Sequence, residues 1–345
     1  MKLALVTDAW LPQTNGVVRT LTATIRCLLA EGIDVKVFGP QGHAAVPCPT
    51  YPEIRLALFA GRLLGRALDQ FQPDALHIAT EGPLGLAARR WSLRRQRVFT
   101  TAYHTQFPEY LRSRVPIPLA WSYAWMRWFH GAARRTLVAT PSMQRLLEQR
   151  GFDNVARWSR GVDAQLFRPR GSKGLFSWPR PLWLYVGRVA VEKGLEDFLR
   201  LDLPGTKVVI GDGPARPALE RRFPHARFLG CKQGEDLACH FAACDAFVFP
   251  SRTDTFGLVL LEAMASGLPV AAFPVTGPLD VVVDGVTGFL DQDLGAAALR
   301  CLALDPARCR ELALQYSWEN CTRQFIALLA TERLATPARA IDWPS

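Results

Sequence analysis

Two carboxylates, Asp254 and Glu262, stand in the segment SRTDTFGLVLLEAMASGLPVAAF (251–273). Thr255, Phe256, Gly257 and Leu258 lie between them, and an apolar run from Leu258 to Ala265 predicts a helix that starts there. The backbone amides at such a start are unsatisfied and favour phosphate oxygens. Glu262, about one turn inside, can accept two hydroxyl hydrogen bonds, as from a ribose diol. Asp254, on the preceding loop, can reach a sugar. The plainer alternative makes Asp254 a helix cap and leaves Glu262 in water. The apolar surroundings of Glu262 in LVLLEAMA argue against a solvated face.

Two further groups have the same chemistry. In GRVAVEKGL (187–195), Arg188 and Lys193 follow directly on a strand-like run, where a pair of cations suits a pyrophosphate. Two solvated surface cations are the competing reading. In NGVV (15–18), Asn15 and Gly16 precede a helical run, and a glycine there lets backbone approach an anion. A plain turn and helix start explains that group about as well.

Alternating strands and helices must position these residues. LALVTD (3–8), DVKVFGP (34–40), ALHIAT (75–80), RVFTTAYH (97–104) and TLVATP (136–141) read as strands, with helices at 17–32 and 82–95 between them. A Gly/Pro-rich join at 168–180 follows, and strands recur at 181–188, 206–214, 226–230, 245–250 and 268–274. The fold class is α/β, with two Rossmann-like β/α/β domains whose parallel sheets are covered on both faces. The expected boundaries are 1–165 for the first domain and 166–325 for the second. A tail over 326–345 can cross back to the first. Ligands in such sheets sit at the carboxyl ends of strands, and a cleft between two domains makes a natural pocket.

The charge is lopsided: residues 1–165 carry 21 Lys/Arg against 11 Asp/Glu, and the remainder carry 20 of each. An anionic partner for the first half is implied. Arg112, Arg114, Arg127, Arg134 and Arg135 flank Trp121, Trp125 and Trp128, which fall on one helical face. Trp at that spacing, bracketed by Arg, suits an anionic membrane surface. A helix with its aromatics in the core accounts for the same residues. The basic-aromatic mix would also suit nucleic acid, but no nucleic-acid motif accompanies it. The apolar run that opens the chain is too short for a signal peptide, and no uncharged stretch has spanning length, so a cytoplasmic location is expected. The eight cysteines show no Cys-x-x-Cys and are expected as reduced or buried thiols.

In this order the motifs resemble the retaining glycosyltransferases of family GT4, which have the GT-B fold. The family's paired acids stand here as Asp254-x7-Glu262 followed by ASGLPV, its GR…K loop as Arg188 and Lys193, and its N-terminal glycine loop as Asn15-Gly16. RGVD (160–163) and DGVTGFL (284–290) match two more recurrent elements, so the likeness spans about 3 to 330. SRTDTFGLVLLEA resembles a bacterial branch that transfers mannose to lipids. Most of the family has Glu where Asp254 stands; the shorter acid bears on the sugar contact.

The resemblance implies a nucleotide-diphosphate hexose donor, with GDP-mannose, UDP-glucose and UDP-galactose all compatible. It implies donor contacts from Gly16, Arg188, Lys193, Asp254, Thr255, Phe256, Gly257, Leu258 and Glu262. It places His104, in TTAYHTQF, near the transferring sugar, and Asn15 and Glu81 on the acceptor side; Asp8 is a weaker candidate. His104, Arg188, Lys193 and Asp254 are the implied catalytic set. No metal is expected, because the two cations and the helix start would carry the leaving phosphate. A front-face path is favoured over a covalent intermediate, since no carboxylate nucleophile emerges. The acceptor is expected to be a membrane lipid or glycolipid, with a soluble or polysaccharide acceptor as the alternative. Other classes are a sugar-nucleotide epimerase of the same fold, a non-catalytic binder and a dinucleotide dehydrogenase. VIGDGPARP lacks the third glycine of a dinucleotide loop, which disfavours the last.

Overall fold

A computed structural model of the chain describes residues 1–13, 15–48, 51–58, 60–112, 117–171 and 174–330. It divides into two compact units, Met1–Ser159 with Trp318–Ser345, and Arg160–Ser317. Each is built on one six-stranded parallel sheet.

In the first unit the strands β1 (Lys2–Val6), β2 (Asp34–Phe38), β5 (Ala75–Ile78), β6 (Thr100–Ala102), β7 (Arg135–Val138) and β8 (Val155–Arg157) lie in the order β2-β1-β5-β6-β7-β8. Helices α1 (Gly16–Ala30), α3 (Pro83–Arg94), α5 (Leu119–His130) and α6 (Pro141–Gln149) connect them. All four residues of β5 and the last four of β1 are buried, as strands covered on both faces require. An antiparallel hairpin, β3 (Ala45–Cys48) and β4 (Tyr51–Ala57), and helix α2 (Ala60–Phe71) sit between β2 and β5. Pro47, Pro49 and Pro52 break the alternation that would have marked the hairpin in the sequence.

The second unit orders its strands β11-β10-β9-β12-β13-β14. They span Leu182–Val186 (β9), Thr206–Ile210 (β10), Arg227–Phe228 (β11), Ala246–Phe249 (β12), Val270–Ala272 (β13) and Gly288–Leu290 (β14). The run LWLYV of β9 is wholly buried, with Trp183 and Tyr185 in a core that includes Phe198, Val209 and Val248. Strand order reverses between β1 and β5 in one sheet and between β9 and β12 in the other. These are the switch points where doubly wound sheets bind ligands.

The division falls at Ser159, before RGVD, rather than at 165, and the chain returns to the first unit at Trp318 rather than at 326. The Gly/Pro-rich stretch that looks like the join begins inside the second unit. There Arg310 donates to the carbonyls of Ala164 and Phe167, both at 3.1 Å, and Phe167 meets Phe241 edge-on at 5.6 Å. The returning helix α14 (Trp318–Leu328) buries Trp318, Cys321 and Phe325. The Phe325 ring lies 4.7 Å from Trp158 and 4.9 Å from His77, while Arg135 donates to the carbonyl of Leu328 at 3.1 Å. An apolar helical stripe needs a core to cover it, and the first unit provides one. Residues 331–345 of the expected tail lie outside the described residues.

Among the described residues seven cysteines are free thiols, and burial pushes those of Cys301 and Cys309 up to about 12. Among the described residues no helix is long and apolar enough to cross a membrane.

Candidate active site

The loops that leave β9 and β12 at the second unit's switch point carry Arg188, Lys193 and Asp254. The first loop is locked from beneath. Val189 N–H donates to the carbonyl of Asp212 at 2.9 Å, and the Tyr185 hydroxyl donates to the carbonyl of Arg188 at 2.8 Å. Gly194, at φ +61°, turns the chain into α7 (Leu195–Arg200), and a Cβ there would stand 2.7 Å from the carbonyl oxygen of Pro250. Only glycine permits both that conformation and that approach. The two loops are thereby held against each other.

Side chains lace them further. Lys193 Nζ lies 2.6 Å from Asp254 Oδ1, and the Thr253 hydroxyl donates to the carbonyl of Glu192 at 3.3 Å. Arg188 reaches Glu192 at 4.0 Å. Asp254 is therefore an anchor for Lys193 and not the cap of the following helix. That helix, α10 (Leu258–Ala265), is entered through Gly257 in the left-handed region at φ +82°, which offers no side-chain cap. Thr255, Phe256 and Leu258 stand around that entry; Phe256 is buried, and Gly277 of the loop after β13 lies against the Asp254 and Phe256 carbonyls. Glu262 is 4 % exposed on the buried side of α10, which removes the solvated alternative. A carboxylate taken from water this far must be met by donors. The arrangement presents two cations, a glycine-opened helix start and a buried acid at one sheet end. Among the described residues no group of three His, Cys, Asp or Glu side chains gathers as a metal-ligand set.

The first unit's switch point holds the other candidates. Asn15 caps α1, accepting from Val18 N–H at 3.0 Å, and Gly16 opens the helix with free space over its α-carbon. Asp8, after β1, is a structural acid. It accepts from the amides of Leu84 at 2.9 Å and Gly85 at 3.3 Å and from the Thr80 hydroxyl at 2.9 Å, so it caps α3 from across the sheet. Burial raises its carboxyl above the usual range, while those hydrogen bonds act the other way. Glu81 follows β5, and His104 follows β6 with its ring edge-on to Trp158 at 5.9 Å. A residue not singled out in the sequence joins them: His130, fully buried, has Nε2 3.2 Å from Glu81 Oε1. It ends a helix of aromatics and reads as one more core ring.

The expected membrane face over 112–135 is only partly a surface. Trp121 is 73 % exposed, but Trp125 stacks on Phe129 at 5.9 Å and Trp128 lies under the Arg89 guanidinium at 3.9 Å. Arg135 is tied to α14, and Arg114 lies outside the described residues. Helical spacing of Trp marks a packed face as readily as a wet one.

The family models named Glycosyltransferase Family 4 and Glycosyl transferases group 1 match residues 14–166 and 180–304. The GDP-mannose-dependent alpha-mannosyltransferase of Mycobacterium tuberculosis is 33% identical over 84% of this chain and 83% of its own. The protein of the same name from Corynebacterium glutamicum is 30% identical over 97% of this chain and 88% of its own. Among solved structures, sucrose-phosphate synthase from Thermosynechococcus elongatus superposes with a TM-score of 0.74 at 23% identity, covering 95% of this chain and 98% of its own. Anabaena HepE with UDP and glucose gives 0.72 at 17% identity, covering 95% and 98%. These neighbours share the GT-B fold. With its paired acids, its cation loop and relatives matched along most of its length, the chain belongs to the GT4 glycosyltransferases and is a transferase of the branch that includes bacterial mannosyltransferases.

Proposed function

We propose that this protein transfers mannose, with retention, from GDP-mannose to a hydroxyl of a membrane lipid or glycolipid. The observation that carries the donor is the likeness to two GDP-mannose-dependent mannosyltransferases along most of both chains. Departure of GDP builds negative charge on its β-phosphate and positive charge on the anomeric carbon. Arg188, Lys193 and the amides of Gly257 and Leu258 meet the first, preorganised at the switch point. One oxygen of Asp254 orients Lys193, and the other is left for a sugar hydroxyl. Glu262 takes the ribose diol, and His104 keeps the catalytic role that the family likeness implies. The two cations stand in for a metal, so transfer proceeds without one. On a front-face path the leaving phosphate accepts the proton of the attacking hydroxyl. Incubating the protein with GDP-mannose, UDP-glucose or UDP-galactose, a lipid extract and EDTA tests this reading. Mannose in the lipid phase from GDP-mannose alone is expected; transfer only from a UDP-sugar, or only with added Mg²⁺, rejects the donor or the metal-free chemistry.

The lipid acceptor rests on charge. A groove of about 1040 Å³ lies along α2 and α3, edged by Arg62, Arg66, Arg90 and Arg94. All four are exposed, and none has a carboxylate partner among the described residues. Asp69, the acid of the groove, is taken by Arg95 at 2.6 Å and by the Trp91 indole at 3.0 Å. Unpaired arginines on neighbouring helices suit anionic headgroups, each adding about 1 kcal/mol near such a surface. This is the face proposed to rest on the inner side of the cytoplasmic membrane. Flotation with vesicles containing anionic phosphatidylglycerol is expected to retain the wild type and lose a variant with all four arginines changed to glutamine. Equal flotation of the two would remove the membrane proposal.

A further inference from the structure

The imidazole of His130 sits inside the first unit with no exposed surface, Nδ1 2.9 Å from Thr101 Oγ1 and Nε2 3.2 Å from Glu81 Oε1. The far end of this chain of contacts fixes the direction of each hydrogen. Asn154 Nδ2 donates to the carbonyls of His130 at 2.9 Å and Ala133 at 2.8 Å. The amide is thus oriented with its oxygen toward Thr136 Oγ1, 3.1 Å away, and an amide oxygen only accepts. Thr136 gives it the one hydroxyl hydrogen it has. At 3.3 Å the Thr136 oxygen then accepts from Thr101, whose own hydrogen is used there. Thr101 can meet Nδ1 only as an acceptor, so Nδ1 carries a proton. A ring protonated at Nδ1 alone would turn the Nε2 lone pair on a carboxylate oxygen. A second proton must lie between Nε2 and Glu81.

We infer that His130 is a positioning residue for the acceptor. By sharing a proton with Glu81 it pins Oε1 and leaves Oε2 to accept from an acceptor hydroxyl beside the one that attacks. Glu81 follows β5 at the first switch point, where a doubly wound sheet places its ligand, and its side chain is 22 % exposed while His130 is sealed. Thr101, Thr136 and Asn154 form the rear of the device, tying the ring to β6, β7 and the loop before β8. The role given to Glu81 rests on the proposed glycosyl transfer; the proton on Nδ1 does not.

Two measurements test it. The first is long-range ¹H–¹⁵N correlation on the full chain labelled with ¹⁵N-histidine. His130 is assigned through Phe129 and Phe152, whose rings lie 5.0 and 6.1 Å from it. Protonated Nδ1 is expected; a ring bearing its only proton on Nε2 would overturn the inference. The second is the kinetics of His130→Gln with GDP-mannose as donor and octyl α-mannoside as acceptor probe. Loss of one fixed, charge-assisted hydrogen bond is expected to raise the acceptor KM about tenfold and leave the donor KM within about twofold. Equal changes in both, or in neither, would show that His130 serves packing alone. A wild type that transfers mannose neither to this probe nor to the lipid extract would reject the transfer reading and the acceptor role together, with the Nδ1 assignment still decided by the spectrum.

Discussion

Replacing Lys193 with methionine is expected to lower kcat for sugar transfer by roughly 10²- to 10³-fold, the usual cost of removing one preorganised group from a developing charge. The structure gives the reason for so large an effect. Lys193 is not a free surface cation; it is held 2.6 Å from Asp254 by a loop that Gly194 presses against Pro250. A charge fixed before the reaction needs no reorganisation during it. Methionine keeps the apolar stem and removes the ammonium, so folding should survive. GDP affinity should fall less than kcat, because on the proposed path the phosphate charge facing Lys193 grows only as the sugar–phosphate bond breaks. Rate measurements at saturating GDP-mannose, paired with GDP titration, separate the two. A fall in affinity with kcat untouched would make Lys193 a binding residue only.

Glu262→Gln is expected to weaken GDP by about 10- to 100-fold, as loss of charge-assisted hydrogen bonds to a diol implies. Glutamine keeps the size of the side chain and its one accepting oxygen. The variant should therefore fold, and guanosine lacking the ribose hydroxyls should bind wild type and variant alike. The acid is 4 % exposed on a helix otherwise filled with Leu260, Leu261, Ala263 and Met264. That seclusion separates the prediction from a surface change, which would leave affinity unaltered. Calorimetry with GDP on both proteins measures it; equal affinities would remove Glu262 from the donor site.

Much of this was legible in the sequence because parallel α/β units write themselves as buried runs between helical ones. The strands that carry Arg188, Asp254, Glu81 and His104 could each be placed before any coordinates. What could not be read were pairings across long separations. Nothing in a linear pattern joins Lys193 to Asp254, 61 residues on, or hands Asp8 to the amides of α3 as their cap. His130 was hidden for a different reason: it shares the helical face of Met126 and Phe129, and burial masks its chemistry. The Trp residues of α5 failed in the opposite sense, with a stripe spaced like a membrane face spent mainly on packing. The returning helix α14 was cut short in the expected boundaries, since its stripe of Trp318, Cys321 and Phe325 says that a partner exists and not which unit supplies it.

The most direct test of the donor site is a calorimetric titration of the full chain with GDP in EDTA. A ligand that binds the folded chain must leave a measurable heat or raise its stability. One GDP per chain, bound without metal more tightly than UDP and weakened by Glu262→Gln, is the expected result. No binding by a folded protein, a preference for UDP, or binding only with Mg²⁺ would contradict a metal-free GDP-sugar site at the β9–β12 switch point.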